Sequence, residues 1–294
     1  MRLFKRSVYK KIRLPVKPIS PILFLCLVIL IYSGCETRGN IRLPEHQSSE
    51  VKSQAAETRL PADAASILAK AQVPVLCYHQ LRDFKSSDSL SARDYIVPVS
   101  TFRQHIKALA DSGYQTLLPQ QLSDYLVYGQ PLPPKPVMIT FDDTRSDQFD
   151  IALPELNKYG FKGVFFIMTV SIGKPGYMNK EQIRQLAAQG HIIGLHTWDH
   201  KNVKNYSNED WEIQINKPRK QLESVTGKKI EHFAYPFGLW NKEALLKIKQ
   251  LGFKSAFQLS AKRDEDEPLY CIRRIIVPGN WSTTALLKHM KGSF

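Results

Sequence analysis

The chain has 294 residues, 43% of them hydrophobic and 23% charged, which is the composition of a globular protein with a sizeable core and one large or two small domains. Its formal net charge of +14 invites a nucleic-acid reading that the distribution of charge does not support. Arg2, Lys5, Arg6, Lys10, Lys11, Arg13 and Lys17 carry seven of those charges ahead of any folded segment, leaving about +7 for the rest.

These cations precede an uninterrupted apolar run over residues 22–32, the n-region and h-region layout of an export signal and too short for an ordinary membrane span. Ser33-Gly34-Cys35 closes the run. Small residues before a cysteine resemble a lipobox, with Tyr32 in the place of the usual leucine, so residues 1–34 are expected to be a signal peptide and Cys35 a lipid-bearing N-terminus. An uncleaved anchor and ordinary secretion are the other two readings. All three place the remainder outside the cytoplasm, at the cell envelope. Residues 35–70 are polar, with few large apolar side chains, and are expected to be a flexible tether. The folded domain is expected over 71–294. Of the four cysteines, Cys26 lies in the apolar run, so only Cys77 and Cys271 are left either to pair or to stay as free buried thiols.

The first expected strand is 73–78. A unit then recurs four times: a helix-period stretch, a glycine where helices end, and a β-rich run. The units are 102–112 with Gly113 and strand 114–118; 151–159 with Gly160 and strand 164–168; 183–189 with Gly190 and strand 192–195; and 245–251 with Gly252 and strand 255–259. Further strands are expected at 137–141, 231–235 and, late in the chain, 270–277. Alternating helices and strands imply a parallel sheet covered by helices. Thr101, Asn179, Asn208 and Asn241 are the expected N-caps, and Gln182 completes a capping box with Asn179. Pro218 should break or kink the helix over 208–225.

Four of these strands run into polar groups: His79, Asp142-Asp143, His196 and Pro236-Phe237-Gly238. At the carboxyl ends of strands in a β/α barrel such groups converge on one mouth. Asp143, His196 and His200 then make a two-imidazole, one-carboxylate set of the zinc type, open to cobalt, nickel or manganese as well. Asp142 would be free to take a proton. It faces the opposite side from Asp143 if the strand continues, and the two can share a cavity only in the loop beyond it. The bland reading is a turn whose Asp residues serve local hydrogen bonds and a pair of ordinary polar histidines.

Thr140-Phe141-Asp142-Asp143, His196-Thr197-Trp198-Asp199-His200 and Phe233-Ala234-Tyr235-Pro236-Phe237-Gly238, in that order, resemble the polysaccharide deacetylases of carbohydrate esterase family 4. The resemblance runs from about residue 73 to the C-terminus and implies an α/β fold, a distorted, incomplete (β/α) barrel. It implies Asp142 as base, Asp143, His196 and His200 as metal ligands, and the Phe237 N–H as oxyanion donor. Three positions depart from the family pattern. Thr144 stands where a glycine usually follows the Asp pair, and Ala234 stands where many members carry an arginine. Leu287-Lys288-His289 only loosely matches the family's late acid motif. The segment Leu76-Cys77-Tyr78-His79 is similar instead to the biofilm poly-N-acetylglucosamine deacetylases, which implies His79 as general acid, with His289 as the alternative. Arg274, or its neighbour Arg273, is the candidate for the missing arginine. Tyr78, Tyr177, Trp198 and Trp240 are candidates for a sugar groove, with core packing as the competing role.

The expectation is a monomeric, membrane-attached hydrolase that uses a divalent metal to remove N-acetyl groups from an acetylated polysaccharide. A noncatalytic polysaccharide-binding lipoprotein and an O-acetyl sugar esterase are the alternatives. No nucleic-acid partner is expected.

Overall fold

The structure is a computed structural model and describes residues 60–293. The export segment, Cys35 and the first part of the expected tether lie outside the described residues. The described end of that tether is packed rather than free. Helix α1 (Ala64–Ala69) is capped by Asp63, whose side chain accepts from the Ser66 N–H at 2.8 Å, and it buries Ile67. Lys70 Nζ donates to the carbonyls of Tyr125 and Leu126. Ile67, with Ala62 beside it, suffices to dock this segment, so the packed chain begins before residue 71.

Among the described residues the strands are β1 (Val75–Tyr78), β2 (Gln80–Leu81), β3 (Ile96–Val97), β4 (Gln115–Thr116), β5 (Pro136–Phe141), β6 (Gly163–Ile167), β7 (Ile192–Leu195), β8 (His232–Ala234), β9 (Ser255–Phe257) and β10 (Ile275–Ile276). Strands β10-β1-β5-β6-β7-β8-β9 form one parallel path, with β4 joined to the start of β5, and β2 pairs β3 apart from it. The two ends of the path approach each other through the segment before β10. Gln258 N–H donates to Ile272 O, Ile272 N–H to Ala256 O and Arg274 N–H to Leu259 O. The result is the curled parallel sheet with outer helices of an incomplete (β/α) barrel.

The central strands are continuous apolar runs because both faces are covered. Outward-facing Leu76, Ile139, Phe141, Phe165, Ile193 and Phe233 pack under α2 (Val99–Asp111), α5 (Lys180–Ala188), α7 (Lys217–Thr226) and α8 (Lys242–Gln250), with the Phe141 and Phe165 rings stacked at 4.7 Å. Alternate residues Val75, Met138, Val164, Phe166, Ala234 and Phe257 form a smaller inner cluster, closed by Ile67 of α1 and by Leu122 and Leu126 of α3 (Pro119–Tyr128). The period-2 alternation of a strand carries that inner face onward to Cys77 on β1 and to Thr140 and Asp142 on β5. Gly194 on β7 is required for this interior, since a Cβ there would lie 2.5 Å from two ring carbons of Phe166.

Helix starts follow the expectation in part. Asn179 and Asn241 cap α5 and α8, and Asn179 forms the capping box with Gln182. Thr101 does not cap: α2 begins at Val99 behind Pro98. The cap expected at Asn208 belongs to Ser207, whose box with Asp210 starts α6 (Asn208–Asp210). Pro218 cannot donate to a carbonyl one turn back, and the chain accommodates it with a π-helical turn over Trp211–Asn216, so that Pro218 falls in the first turn of α7. A second π turn, Gln148–Ala152, precedes α4 (Leu153–Lys158). The late strand is shorter than expected: a 3-10 turn at Pro268–Tyr270 leaves only β10. Helices α3 and α9 (Thr283–Gly292) lie where no element was expected. Cys77 and Cys271 are free buried thiols.

Candidate active site

Strand β5 ends at Phe141, and Asp142 continues its inner face. Asp143 does not alternate to the outer side, because its φ of 74° puts it in the left-handed region and turns the chain back over the barrel mouth. Both carboxylates therefore face one locus. His196 Nε2 lies 3.8 Å from Asp142 Oδ2 and 3.5 Å from Asp143 Oδ1, and His200 Nε2 lies 3.6 Å from the same Asp143 oxygen. One donor atom from each of Asp143, His196 and His200 falls within 4.8 Å of the other two.

His196 leaves β7 with its N–H bonded to Ile167 O, and its Nδ1 lies 2.8 Å from Ala234 O. Donation from Nδ1 to that carbonyl fixes the tautomer and aims the Nε2 lone pair at Asp143. His200 is brought back by a turn in which Thr197 and His200 both have positive φ, and Thr197 Oγ1 accepts from the His200 N–H at 2.9 Å. Burial and the neighbouring His196 push the His200 pKa down, so its imidazole is neutral. Asp143 Oδ1 is buried and has no hydrogen-bond partner among the described residues. Two imidazoles turned toward an orphaned carboxylate oxygen fit a divalent cation.

Asp142 is held differently. Arg274 Nη1 donates to its Oδ1 at 2.7 Å and Nη2 to its Oδ2 at 2.8 Å, a bidentate pair with both side chains buried. Arg274 Nη1 also reaches Thr140 Oγ1, and Nε donates to Gln258 O. Burial would raise the Asp142 pKa, but the guanidinium, with His196 behind it, holds it well below the usual carboxylate range. Of the two arginine candidates, Arg274 is the one that faces inward. Cys77 Sγ adds a weak donor 3.6 Å from Asp142 Oδ2.

His79, half-buried at the end of β1, has a ring nitrogen within 4.8 Å of Asp142 and Cys77 donor atoms. Since both Asp142 oxygens are taken by Arg274, this second cluster does not read as another ion site. Burial lowers the His79 pKa, against the two aspartates, which raise it. Tyr95 packs edge-on against its ring at 5.0 Å. Sequence reasoning missed Gln148, a fully buried side chain at the start of the π turn Gln148–Ala152. Its Nε2 donates to the main-chain carbonyls of both His79 and Asp142, tying the two loops together. A buried Gln six residues beyond a catalytic-looking Asp was the available signal.

Phe237 has φ 59° at the second position of a 3-10 turn, Pro236–Gly238, whose own bonds begin with Gly238 N–H to Tyr235 O. By position its N–H is one of the unclaimed donors of that turn. Its ring, 58% exposed, stands edge-on to His200 at 4.3 Å.

His289 is not part of either cluster, lying flat against Trp281 at 4.2 Å on the exposed side of α9. The four aromatic candidates separate. Tyr78 is a core residue between Phe102 and Phe141, with its hydroxyl near His105, and cannot line a groove. Trp240 packs half-buried against the outer cluster. Tyr177 carries the Arg145 guanidinium over its ring at 4.8 Å, and Trp198, between His196 and His200 in the chain, is 40% exposed.

Residues 129–256 match the family model described as polysaccharide deacetylase. The chain carries a polysaccharide deacetylase domain. It is 28% identical over 265 residues to YxkH of Bacillus subtilis strain 168, a protein named as a polysaccharide deacetylase, covering 88% of this chain and 92% of that one. It is 29% identical over 226 residues to the poly-beta-1,6-N-acetyl-D-glucosamine N-deacetylase of Staphylococcus aureus, covering 69% of this chain and 77% of the relative. Among solved structures, IcaB from Ammonifex degensii superposes with a TM-score of 0.63 at 26% identity, over 80% of this chain and 100% of that one. The Streptococcus pyogenes deacetylase PplD, solved with acetate, gives a TM-score of 0.68 at 23% identity over 75% and 98%, a likeness of fold. His79 and Arg274 both lie outside the stretch matched by the family model.

Proposed function

We propose that this domain is a metal-dependent hydrolase that removes N-acetyl groups from an N-acetylglucosamine-containing polysaccharide at the cell envelope. The observation that carries the reading is the split between the two adjacent carboxylates. Asp143 offers an unpartnered oxygen to two imidazoles, while Asp142 is locked as an anion by Arg274 beside them. Asp143, His196 and His200 would hold the ion; when bound it supplies Lewis acidity toward the acetyl oxygen and acidifies the attacking water. Zinc, cobalt, nickel and manganese all suit this donor set.

The side chains divide the remaining work. Asp142, ionised and fixed in orientation, accepts the proton of the attacking water. The Phe237 N–H donates to the oxygen that becomes negative, an interaction worth on the order of 100-fold in rate for one donor. His79 gives its proton to the departing amine, so that acetate and a free amino sugar leave. Tyr95 and Phe237 leave exposed rings against His79 and His200, which suits the apolar C–H faces of sugar rings. The Staphylococcus aureus relative makes poly-N-acetylglucosamine the leading polymer. Attachment through Cys35 and a monomeric state belong to the same proposal; among the described residues no helix is long and apolar enough to cross a membrane.

The test is Asp142→Asn. Bound metal should stay at the wild-type level while acetate release from N-acetylglucosamine oligomers falls by at least about 100-fold. Acetate release at the wild-type rate would remove Asp142 as base.

A further inference from the structure

Thr144 is a fully buried, β-branched residue at φ 64°, a backbone region that such side chains rarely enter. What holds it there is its hydroxyl. Thr144 Oγ1 accepts from the Met168 N–H at 2.7 Å and donates to the Met168 carbonyl at 3.2 Å, across the gap between the loop after β5 and the loop after β6. The next two residues of that second loop reach the loop after β7: Thr169 N–H donates to Thr197 O at 3.2 Å, and Val170 N–H to Trp198 O at 2.9 Å. On the other side, Thr144 O accepts from the Met178 N–H. A continuous hydrogen-bonded path therefore runs from the residue after Asp143, through Met168–Val170, to the residues between His196 and His200.

The geometry points to Thr144 as a positioning residue that sets the distance between Asp143 and the two histidines. This inference rests on the metal reading above. The segment after β6 supplies no donor atom to the three-residue cluster; its bonds on both sides make it a spacer between the ligand-bearing loops. The hydroxyl is the joint on the Asp143 side. Without it the Met168 N–H loses its partner, and the left-handed turn that carries Asp143 loses its tie to the loop after β6 and is held only through the Met178 bond.

The experiment compares Thr144→Val, which keeps the shape and loses the hydroxyl, with Thr144→Ser, which keeps the hydroxyl. Zinc affinity is measured by competition with a chromophoric chelator, and thermal unfolding is followed on metal-free protein. The expected result is a roughly 10- to 100-fold loss of zinc affinity in the valine variant, the usual effect of removing support behind a ligand, with the serine variant close to wild type. Unchanged zinc affinity in Thr144→Val, with or without a drop in melting temperature, overturns the inference and leaves the metal reading intact. Equal weakening in Thr144→Ser and Thr144→Val also overturns it. A wild-type protein that binds no zinc, cobalt, nickel or manganese overturns both.

Discussion

Arg274, just before β10, grips both carboxylate oxygens of Asp142 from 132 residues further along the chain. The pair is buried, and neither charge has another opposite charge in such close, two-point contact. Arginine is suited to the place because its planar fork matches the carboxylate with two parallel N–H groups, which a lysine ammonium cannot do.

Arg274→Lys should therefore behave as a severe change despite keeping the charge. One of the two bonds is lost, Asp142 can rotate, and its pKa climbs back toward the ordinary carboxylate range. The acidic limb of the rate profile should move to higher pH, with a turnover loss of about 10- to 100-fold. Arg274→Met, which leaves a buried anion unpaired, should in addition cost about 3–5 kcal/mol of stability, read from urea unfolding. A lysine variant with the wild-type profile would show that orientation of Asp142 is immaterial.

His79 and His289 give opposite expectations. His79→Ala removes the proton donor beside Asp142 and should lower turnover by roughly 100- to 10,000-fold. His289→Ala removes only a ring stacked on Trp281 and should leave turnover unchanged. Deacetylation kinetics on the two purified variants decide the matter, and a rate loss confined to His289→Ala would reverse the assignment.

The metal-free protein should lose stability as pH falls from about 6.5 to 4. Burial holds His191 and His232 at about 4, and pushes His79 and His105 down as well. Their ordinary value is about 6.5, so in this window the unfolded chain binds protons that the folded chain refuses. The stabilisation is complete above that ordinary value and disappears as pH drops through the folded one. Asp147 works the other way: burial raises it to about 6, so it favours the folded state at low pH and loses that effect as pH rises through 6. One carboxyl against several imidazoles leaves a net decline on acidification. Melting temperatures recorded at pH 7, 5.5 and 4.5 should descend in that order; a flat series would mean that these histidines titrate normally in the folded protein.

Local pattern made much of this legible. The buried runs of β5 and β7 are apolar enough to be read directly, and their ends locate Asp142, Asp143 and His196 to the residue. Gly113, Gly160, Gly190 and Gly252 mark the ends of helices because each adopts positive φ. The choice between Arg273 and Arg274 was not readable, since neighbouring strand residues face opposite ways and only the pairing of Leu76 with Ile275 decides which one points inward. The shared orientation of Asp142 and Asp143 was equally hidden, because it depends on a positive φ at a non-glycine residue. Helix α3 had no expectation to meet, although Pro119 in its first turn is favourable. In α9 the signal was present: Ser282 caps, and Leu286 and Met290 lie four apart on the buried face. Of the two roles open to Tyr78, groove or core, strand alternation decides for the outer core.

The place where the sheet's two ends meet also sets the order in which the molecule becomes competent. Asp142 leaves the ribosome long before Arg274, and the strand that delivers the guanidinium is the last one in the chain. A nascent polypeptide ending before residue 274 has every candidate ligand already synthesised but no counter-charge for Asp142, so that carboxylate is paired only once the C-terminal strand is complete.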